Sequence, residues 1–402
     1  MRIIVAHFGT HYVGMPGGVE KLICYLSSEM VKRGHDVTIL YRDGVEGMPY
    51  FPLDKRVKQY NILFENGIKV ISEKLPGYLR VYREFCRLFS QSKAQGINAT
   101  FKGRQYGPRI KKYIDEIPAD VIISCTAPST KYVITDAGCT LPVITLFRGD
   151  PEIQMPLLST EEKVAVAKSR AIQVLWPSKV ATGKKFFPKI PVIPIGNAIF
   201  PAESMAEPGR EKKVHLISCV GNISGRKNQK LLLKAFLTLA DKYPDWNVEF
   251  WGEKDSSYTK QMESLIHSHH MEKRIFLMGK TQKIGDVYGR SDIFAIASKS
   301  EGFPQGLAEA MSAGLPAVGL KICGGTNELI QDGKTGFLTD DTVKSFADGL
   351  EKLICDAGLR ARMGKEAHQF TLNYRPEKMW DIWEQLLDSL VIFEPVNKRK
   401  CD

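Results

Sequence analysis

The sequence predicts an α/β protein with two Rossmann-like, doubly wound domains that face each other across a cleft. Three observations support this fold class. Short apolar runs rich in β-branched residues alternate with amphipathic helical segments in the first half. The same alternation starts again in the second half, after a stretch that contains proline and glycine. The length of 402 residues suits two domains of roughly 200 residues each.

The first half opens with a buried strand at residues 3–6 and a helix at 19–33, which has one apolar face and ends at Gly34. Further apolar strands are predicted at 37–41, 121–124 and 143–146. This order of strands and helices implies a parallel sheet that is covered by helices on both faces. We therefore assign residues 1–200 to an N-terminal domain.

The second half is separated from the first by residues 201–213, which contain two prolines and a glycine, show no apolar periodicity and are predicted to form a linker. Residues 214–375 then form a second domain, and a C-terminal helix within 376–402 is expected to cross back to the N-terminal domain. The predicted strands are 214–220, 248–251, 275–278, 293–297 and 316–320, and the predicted helices are 229–239, 258–267 and 305–313.

The net charge of +11 is concentrated in one segment. Residues 51–112 contain 14 basic and four acidic residues, which gives this segment a net charge of +10. Such a patch favours an anionic partner: a membrane surface, a phosphorylated acceptor molecule or a nucleic acid. No apolar run reaches the ~20 residues that a spanning helix needs. The first apolar run is too short for a signal peptide, so we expect a cytoplasmic protein.

The strongest chemical signal lies in residues 300–316. This segment runs from the end of a strand through a loop into a helix, with Pro304 in the predicted first turn and Gly314 at the end. Exposed amides of the first turn and the helix dipole predict a diphosphate site. Glu301 and Glu309 would lie about 12 Å apart if all the residues between them were helical, with a carboxylate at each end of a ribose–diphosphate–sugar unit. The alternative, a capping and a solvated glutamate, does not account for the surrounding glycines and prolines.

This pattern resembles the retaining GT-B glycosyltransferases often called family 4, whose Glu-x7-Glu motif is matched by Glu301 and Glu309. The resemblance covers nearly the whole chain and is most specific at 214–338. It implies a metal-independent enzyme that moves a hexose-type sugar from a nucleotide-sugar, here expected to be a UDP-sugar. The expected acceptor is a glycan or lipid-linked glycan of surface polysaccharide biosynthesis. The acceptor would bind the N-terminal domain, and the donor would bind the C-terminal domain.

The resemblance also assigns residues to the donor site. Lys227 falls where the family has a diphosphate-binding lysine. Asn222 stands where the family usually has an arginine, so we expect Arg226 to supply the second positive charge on the leaving group. Asn222 and Glu309 are also expected to bind the donor. The other donor-binding residues are Lys280 and Thr281 in the base-binding loop, Gly17 and Gly18 in the glycine loop after the first strand, and Phe303, Pro304, Gln305, Gly306 and Leu307.

The family commonly has a histidine near the reacting sugar, where this chain has Arg148. Two interpretations stay open here. Either Arg148 binds a phosphate or carboxylate of the acceptor and Asp150 orients a hydroxyl, or both belong to an ion pair at the edge of the domain. With Glu301, Arg226 and Lys227, these two residues are the catalytic candidates. The resemblance implies front-face attack with retention, in which the departing phosphate helps to deprotonate the acceptor.

No Asp-x-Asp motif occurs in the sequence, and the cysteines and histidines lack the spacing of metal ligands, so we expect no metal or other cofactor. The main alternative function is a nucleotide-sugar epimerase on the same architecture, which would need no acceptor. Nucleic-acid binding would leave Glu301 and Glu309 without a purpose, so we expect no nucleic-acid partner. A dinucleotide oxidoreductase is disfavoured because no G-x-G-x-x-G follows the first strand.

Residues 77–89 show helical periodicity within the basic segment. The apolar face consists of Tyr78, Val81, Tyr82, Phe85, Leu88 and Phe89, and three arginines, Arg80, Arg83 and Arg87, lie off it. One interpretation is a basic amphipathic helix that docks on the anionic inner face of a membrane and makes the protein peripheral. The other is a helix whose apolar face packs on the sheet of its own domain. The sequence does not define an oligomeric state.

Overall fold

The chain folds into two compact units, each built on one parallel sheet, which confirms the predicted α/β class with two doubly wound domains. The first unit comprises Met1–Gly196 and Trp380–Asp402, and the second comprises Asn197–Met379. The computed structural model describes residues 1–9, 11–89, 91–254 and 256–392.

The first unit contains the predicted strands and helices in the predicted order, with further elements between them. Its strands are β1 (Arg2–His7), β2 (Asp36–Tyr41), β3 (Lys58–Asn61), β4 (Phe64–Glu65), β5 (Ile68–Lys69), β6 (Val121–Ser124), β7 (Val143–Leu146), β8 (Ala171–Val174) and β9 (Val192–Pro194). Its helices are α1 (Gly18–Lys32), α2 (Gly77–Phe89), α3 (Gln91–Glu116), α4 (Ala127–Lys131), α5 (Pro151–Gln154), α6 (Thr160–Val166) and α7 (Val180–Phe186).

The sheet of the first unit has the order β3-β2-β1-β6-β7-β8-β9, and all its neighbouring strands are parallel. The predicted strands at 121–124 and 143–146 coincide with β6 and β7, and all their residues are buried. Continuous burial is expected because helices cover both faces of a parallel sheet. Five strands of this unit were not predicted, β3, β4, β5, β8 and β9, and each is only two to four residues long.

The second unit repeats this organisation. Its strands are β10 (His215–Val220), β11 (Trp246–Trp251), β12 (Ile275–Gly279), β13 (Ile293–Ile296), β14 (Ala317–Leu320) and β15 (Gly336–Thr339). Its helices are α8 (Gln229–Leu237), α9 (Ser256–Ser268), α10 (Ile284–Arg290), α11 (Gln305–Ser312), α12 (Gly324–Leu329), α13 (Val343–Cys355), α14 (Ala357–Thr371) and the start of α15 (Pro376–Ile392). The strand order β12-β11-β10-β13-β14-β15 is that of a Rossmann fold.

The segment predicted as a linker, residues 201–213, belongs to the second unit. The amide of Ala206 donates to the carbonyl of Ala313 at 2.7 Å, and Arg360 Nε donates to the carbonyl of Pro208 at 2.7 Å. These bonds fix the segment along α11 and α14, so its lack of periodicity reflects packed irregular backbone. The chain instead passes from the first unit to the second at Gly196–Asn197.

Helix α15 returns to the first unit from Trp380 onward. There Arg33 Nη2 lies 2.8 Å from Asp381 Oδ1, and His35 Nε2 lies 2.8 Å from Glu384 Oε1. These pairs connect α15 to the end of α1, as expected for a helix that crosses back. The remainder of the predicted segment, 393–402, lies outside the described residues.

Helix α2 forms over residues 77–89 as predicted, but its apolar face is exposed and does not pack on the sheet. The interpretation in which α2 covers the core of its own domain is therefore wrong. Within the described parts of the chain, no helix combines the length and apolar character that crossing a membrane requires.

Candidate functional site

The candidate donor site lies where the strand order of the second sheet reverses direction. Strand β10 pairs with β11 on one side and with β13 on the other, so the loops after β10 and β13 leave the sheet next to each other. Ligands of open α/β sheets bind at such a switch point, outside the carboxyl ends of the strands. The two loops predicted to bind the donor, residues 221–228 and 297–304, are these loops.

The two loops bring Glu301, Lys227 and Arg226 together. Lys227 Nζ lies 2.5 Å from Glu301 Oε1, and Arg226 Nη1 lies 3.9 Å from Glu301 Oε2. The Glu301 side chain is 9% exposed, whereas those of Lys227 and Arg226 are 18% and 66% exposed. The nearly buried Glu301 carboxylate therefore contacts one partly buried cation, Lys227, and one largely exposed cation, Arg226.

Gln229 organises the loop that carries both cations. Its Nε2 donates to the carbonyl of Asn222 at 2.9 Å, and its Oε1 accepts from the amide of Ser224 at 3.3 Å. Asn228, in the left-handed region at φ 53°, connects the short 3-10 turn Gly225–Lys227 to α8. Asn222 itself is exposed. Sequence reasoning gave Gln229 no role, because the burial that makes its amide bond to the loop is visible only in the structure.

Helix α11 begins at Gln305, as predicted, but Pro304 precedes its first turn. Pro304 is its N-cap residue and Gln305 its first residue, so residues 301–304 form a loop. The expectation of about 12 Å of continuous helix between Glu301 and Glu309 is therefore wrong, because only the second half of that interval is helical.

The amino end of α11 faces the carboxyl end of β10 at close range. A Cβ on Gly306 would lie 3.0 Å from the carbonyl oxygen of Val220, so glycine allows this approach. The first hydrogen bond within the helix joins the amide of Ala308 to the carbonyl of Pro304 at 3.0 Å. The amides of residues 305–307 precede that bond and form the anion-binding end of the helix.

Two of the predicted donor-binding side chains at this helix end serve packing. Leu307 is fully buried, and Phe303 is 9% exposed and packs edge-on against Tyr374 with ring centroids 6.3 Å apart. The side chains of these residues therefore anchor the helix end. Only their backbone groups are placed to contact a ligand at the amino end of α11.

Glu309 lies on α11 and accepts a hydrogen bond at 3.2 Å from the hydroxyl of Tyr288, which sequence reasoning did not identify. Tyr288 is buried on α10, and this burial raises the pKa of its phenol well above the ordinary value. The hydroxyl therefore stays protonated at neutral pH and acts as a donor to the Glu309 carboxylate.

A second glycine, Gly325, contacts the backbone of the Glu301 loop. The amide of Gly325, in α12, donates to the carbonyl of Glu301 at 3.1 Å. A Cβ on Gly325 would lie 2.7 Å from the carbonyl oxygens of both Glu301 and Gly302. The Glu301 loop is thus fixed by backbone contact with α12, which leaves no room for a side chain at Gly325.

The predicted base-binding residues follow β12, which is separated from β13 in the sheet by β11 and β10. Lys280 Nζ lies 3.0 Å from Glu253 Oε2, and both side chains are more than half exposed. Thr281 Oγ1 accepts from the amide of Lys283 at 3.0 Å. The structure places this pair at the same carboxyl edge of the sheet as Glu301, without a described contact between them.

The glycine loop of the first unit precedes α1. A Cβ on Gly17 would lie 1.9 Å from Glu20 Oε2, so a side chain there would displace the buried Glu20 carboxylate, whose Oε1 lies 3.4 Å from His7 Nε2. Gly18, the first residue of α1, faces open space. Packing within this unit therefore favours a glycine at position 17. A side chain at position 18 would meet no atom of this unit, so packing does not account for Gly18.

Arg148 and Asp150 follow β7 but have different surroundings. The Arg148 side chain is partly buried, and its loss of solvation lowers the pKa of the guanidinium to about 10. Its Nη1 lies 3.5 Å from Gln173 Oε1. It lines a cavity of about 410 Å³. Asp150 caps α5 by accepting from the amide of Glu152 at 3.0 Å, and it lies 3.4 Å from Lys179 Nζ. The ion-pair interpretation therefore describes Asp150, whereas Arg148 belongs to a cavity.

The charged and polar groups of the switch point suit an anionic ligand. Two cations, Lys227 and Arg226, lie beside Glu301 of the loop that leads into α11, whose amino end carries a partial positive charge. Among the described residues, no group of three or more His, Cys, Asp or Glu side chains is arranged to hold a metal ion.

Two doubly wound parallel sheets in one chain, with a helix end suited to an anion at the switch point of the second, occur in GT-B glycosyltransferases. Residues 202–370 match the family model of the Glycosyl transferases group 1, a range that includes both loops of the site. A relative from Haemophilus influenzae strain Rd, named as an uncharacterized glycosyltransferase, is 23% identical over 391 residues, which cover 93% of this chain and 97% of the relative.

Two further proteins are similar to this chain. The amylovoran biosynthesis glycosyltransferase AmsD of Erwinia amylovora is 26% identical over 178 residues, which cover 44% of this chain and 49% of AmsD. The structure of the pneumococcal O-GlcNAc transferase GtfA in complex with UDP and GlcNAc matches with a TM-score of 0.69 at 12% identity, covering 97% of this chain and 99% of that one. The likeness to GtfA shows a shared fold. Together, the family match and the fold support a GT-B glycosyltransferase.

Proposed function

We propose that this protein is a retaining glycosyltransferase that moves a hexose-type sugar from a UDP-sugar to a glycan or lipid-linked glycan acceptor in surface polysaccharide biosynthesis. The observation that carries the proposal is the contact of Lys227 with Glu301 beside the amino end of α11. The UDP bound in GtfA and the named role of AmsD in amylovoran biosynthesis support the donor and the pathway class.

The donor diphosphate would bind the amides at the start of α11 and the ammonium group of Lys227. Lys227 then exchanges its partner, because a diphosphate offers it more negative charge than the Glu301 carboxylate does. This exchange lets Glu301 accept hydrogen bonds from sugar hydroxyls. Glu309, oriented by Tyr288, accepts from the ribose hydroxyls.

The leaving diphosphate would be stabilised without a metal. Lys227, Arg226 and the helix amides are fixed before the reaction and neutralise the charge that develops as the bond from the anomeric carbon to phosphate oxygen breaks. The acceptor oxygen forms its bond to the same face of the sugar, and its proton passes to the departing phosphate. The anomeric configuration is retained.

The acceptor would bind the first unit through the cavity that Arg148 lines. Burial disfavours the positive charge of the Arg148 guanidinium. A bound phosphate or carboxylate would stabilise that charge, because its oxygens accept the hydrogen bonds that water no longer provides. An acceptor with an anionic group, such as a lipid-linked diphosphate glycan or an acidic sugar, fits this chemistry.

Titration calorimetry of UDP, GDP and ADP in the presence of a chelator tests the donor proposal. We expect UDP to bind under these conditions. Binding that appears only after addition of Mg²⁺ or Mn²⁺ would contradict metal independence, and the absence of nucleotide binding in any condition would contradict the donor site. The anomer first formed when the donor is slowly hydrolysed, followed by NMR, tests retention.

The family match and the named relatives favour transfer over the epimerase alternative. Incubation with candidate UDP-sugars alone separates the two functions, since an epimerase needs no acceptor. Conversion of one UDP-sugar into its epimer, followed by NMR, would support the alternative. An unchanged donor sugar, apart from slow hydrolysis, is the result expected of a transferase.

A further inference from the structure

Helix α2 (Gly77–Phe89) presents its apolar face to solvent. The six large side chains of this face are more than half exposed: Tyr78 (73%), Val81 (72%), Tyr82 (57%), Phe85 (58%), Leu88 (79%) and Phe89 (76%). No residue of the helix is buried. A contiguous exposed apolar patch of this kind marks an interaction surface, because leaving it in water is unfavourable.

The opposite side of α2 packs within its own unit. Arg83 Nη1 donates to Asn98 Oδ1 of α3 at 3.3 Å, and the partly buried residues Leu79, Arg83 and Cys86 recur at helical spacing on that side. A helix that served only to cover the core would turn its apolar residues inward. In this unit, the side of α2 that carries Leu79, Arg83 and Cys86 packs inward and bonds to α3, and the apolar side faces solvent.

Basic residues accompany this apolar face. Residues 74–93 include five basic residues and one acidic residue, a net charge of +4. The acidic residue, Glu84, already pairs with Arg83 at 2.5 Å and with Arg87 at 2.9 Å. A second copy of the same surface would bring like charges together. A bilayer with anionic lipids supplies both the opposite charge and an apolar interior.

We propose that α2 is a membrane-docking helix that lies in the plane of a bilayer interface containing anionic lipids. The four aromatic residues of the face insert at the boundary of headgroups and acyl chains, where aromatic rings are favoured. Arg80 and Arg87, both exposed and off the apolar face, reach the lipid phosphates through their long side chains. Docking needs only this helix, so it is independent of the proposed donor site.

Co-sedimentation of the full chain with vesicles tests the proposal, using phosphatidylcholine alone and phosphatidylcholine mixed with phosphatidylglycerol. We expect binding to the mixed vesicles that decreases as salt is raised, since salt screens the headgroup charge. The variant Arg80→Glu/Arg87→Glu should bind about 30-fold more weakly, because each basic side chain near an anionic surface contributes about fivefold in affinity. Arg83 stays unchanged because it also bonds to α3.

A second variant, Phe85→Ser/Phe89→Ser, tests the apolar part of the surface. Both side chains are exposed, so the protein should stay folded and bind UDP like the wild type while losing vesicle binding. A matched control, Ile68→Ser/Val164→Ser, removes exposed apolar side chains elsewhere on the same unit and should keep vesicle binding.

Equal binding to neutral and anionic vesicles, or no binding at low salt, would overturn the proposal. Unchanged vesicle binding in the Phe85/Phe89 variant would also overturn it. Self-association that this variant abolishes, measured by light scattering and without vesicle binding, would assign the surface to a second copy of the chain. Loss of UDP binding in the wild type would count against the donor site and leave the docking result intact.

Discussion

The hydroxyl of Tyr288 donates to Glu309 Oε2 across 3.2 Å, joining α10 to the helix whose amino end lies at the switch point. The phenol is buried, and its raised pKa keeps it in the protonated form that can donate. A neutral donor beside a carboxylate leaves the negative charge in place and fixes its direction. Tyr288 is therefore a positioning residue for Glu309.

Replacing Tyr288 with phenylalanine should weaken UDP binding about five- to tenfold, since a net hydrogen bond is worth about 1–1.5 kcal/mol. The ring still fills its space, so the melting temperature should change little. Calorimetry with UDP and thermal unfolding measure both effects. Tyr243→Phe is the control, because the Tyr243 hydroxyl bonds to Glu351, away from the site. If both variants bind UDP like the wild type, Tyr288 does not position Glu309.

Lys227→Ala and Glu309→Ala should each lower the rate of sugar transfer by a factor of about 100 or more, because losing a charge-assisted bond to a buried ligand costs about 2–4 kcal/mol. Lys227→Ala should also weaken UDP binding, as the diphosphate loses a cation. The comparison is transfer at subsaturating donor against the wild type and Lys234→Ala, an exposed lysine on α8. Near-wild-type turnover in either variant would remove that residue from the site.

The fold could be predicted from the sequence because its strands are short, continuous apolar runs. Strands β6 and β7 were predicted to the residue, since full burial makes every position apolar. The segment 201–213 was misread as a linker because an irregular backbone packed on helices has no periodicity to distinguish it from an exposed one. Periodicity predicted helix α2 as well, but it could not show that the apolar face would be left uncovered.

The candidate site was predicted in part. The family resemblance assigned Glu301 and Lys227 to one donor site, and the structure brings them together because each follows a strand and adjacent parallel strands end at the same edge. The roles of Tyr288 and Gly325 could not be found in this way. Tyr288 lies on a seven-residue helix too short to show a clear period, and the role of Gly325 depends on a backbone contact with a loop more than 20 residues away.

Gly325→Ala should lower the affinity for UDP at least several-fold without touching a ligand. The added Cβ would meet two backbone oxygens at 2.7 Å, and backbone cannot move aside as a flexible side chain can, so the Glu301 loop must shift. Calorimetry with UDP and thermal unfolding measure the change. Gly358→Ala is the control, because its Cβ would meet only Asp356 Oδ1 at 3.4 Å. Equal UDP affinity in Gly325→Ala and the wild type would show that the loop tolerates the shift.

Arg148→Met should separate stability from acceptor binding. Folding lowers the pKa of the Arg148 guanidinium to about 10, which means that the folded state disfavours its charge at neutral pH. Replacing a buried charge with an apolar side chain of similar length removes this cost, so the melting temperature should stay equal or rise.

Inorganic phosphate or glucuronate should raise the melting temperature of the wild type, as any ligand of the folded state does, and should not raise that of Arg148→Met. Arg170→Met, which changes an exposed arginine of the same unit, should keep the response to both anions. A large loss of stability in Arg148→Met, or an unchanged response to both anions, would make Arg148 a structural residue and remove it from the acceptor site.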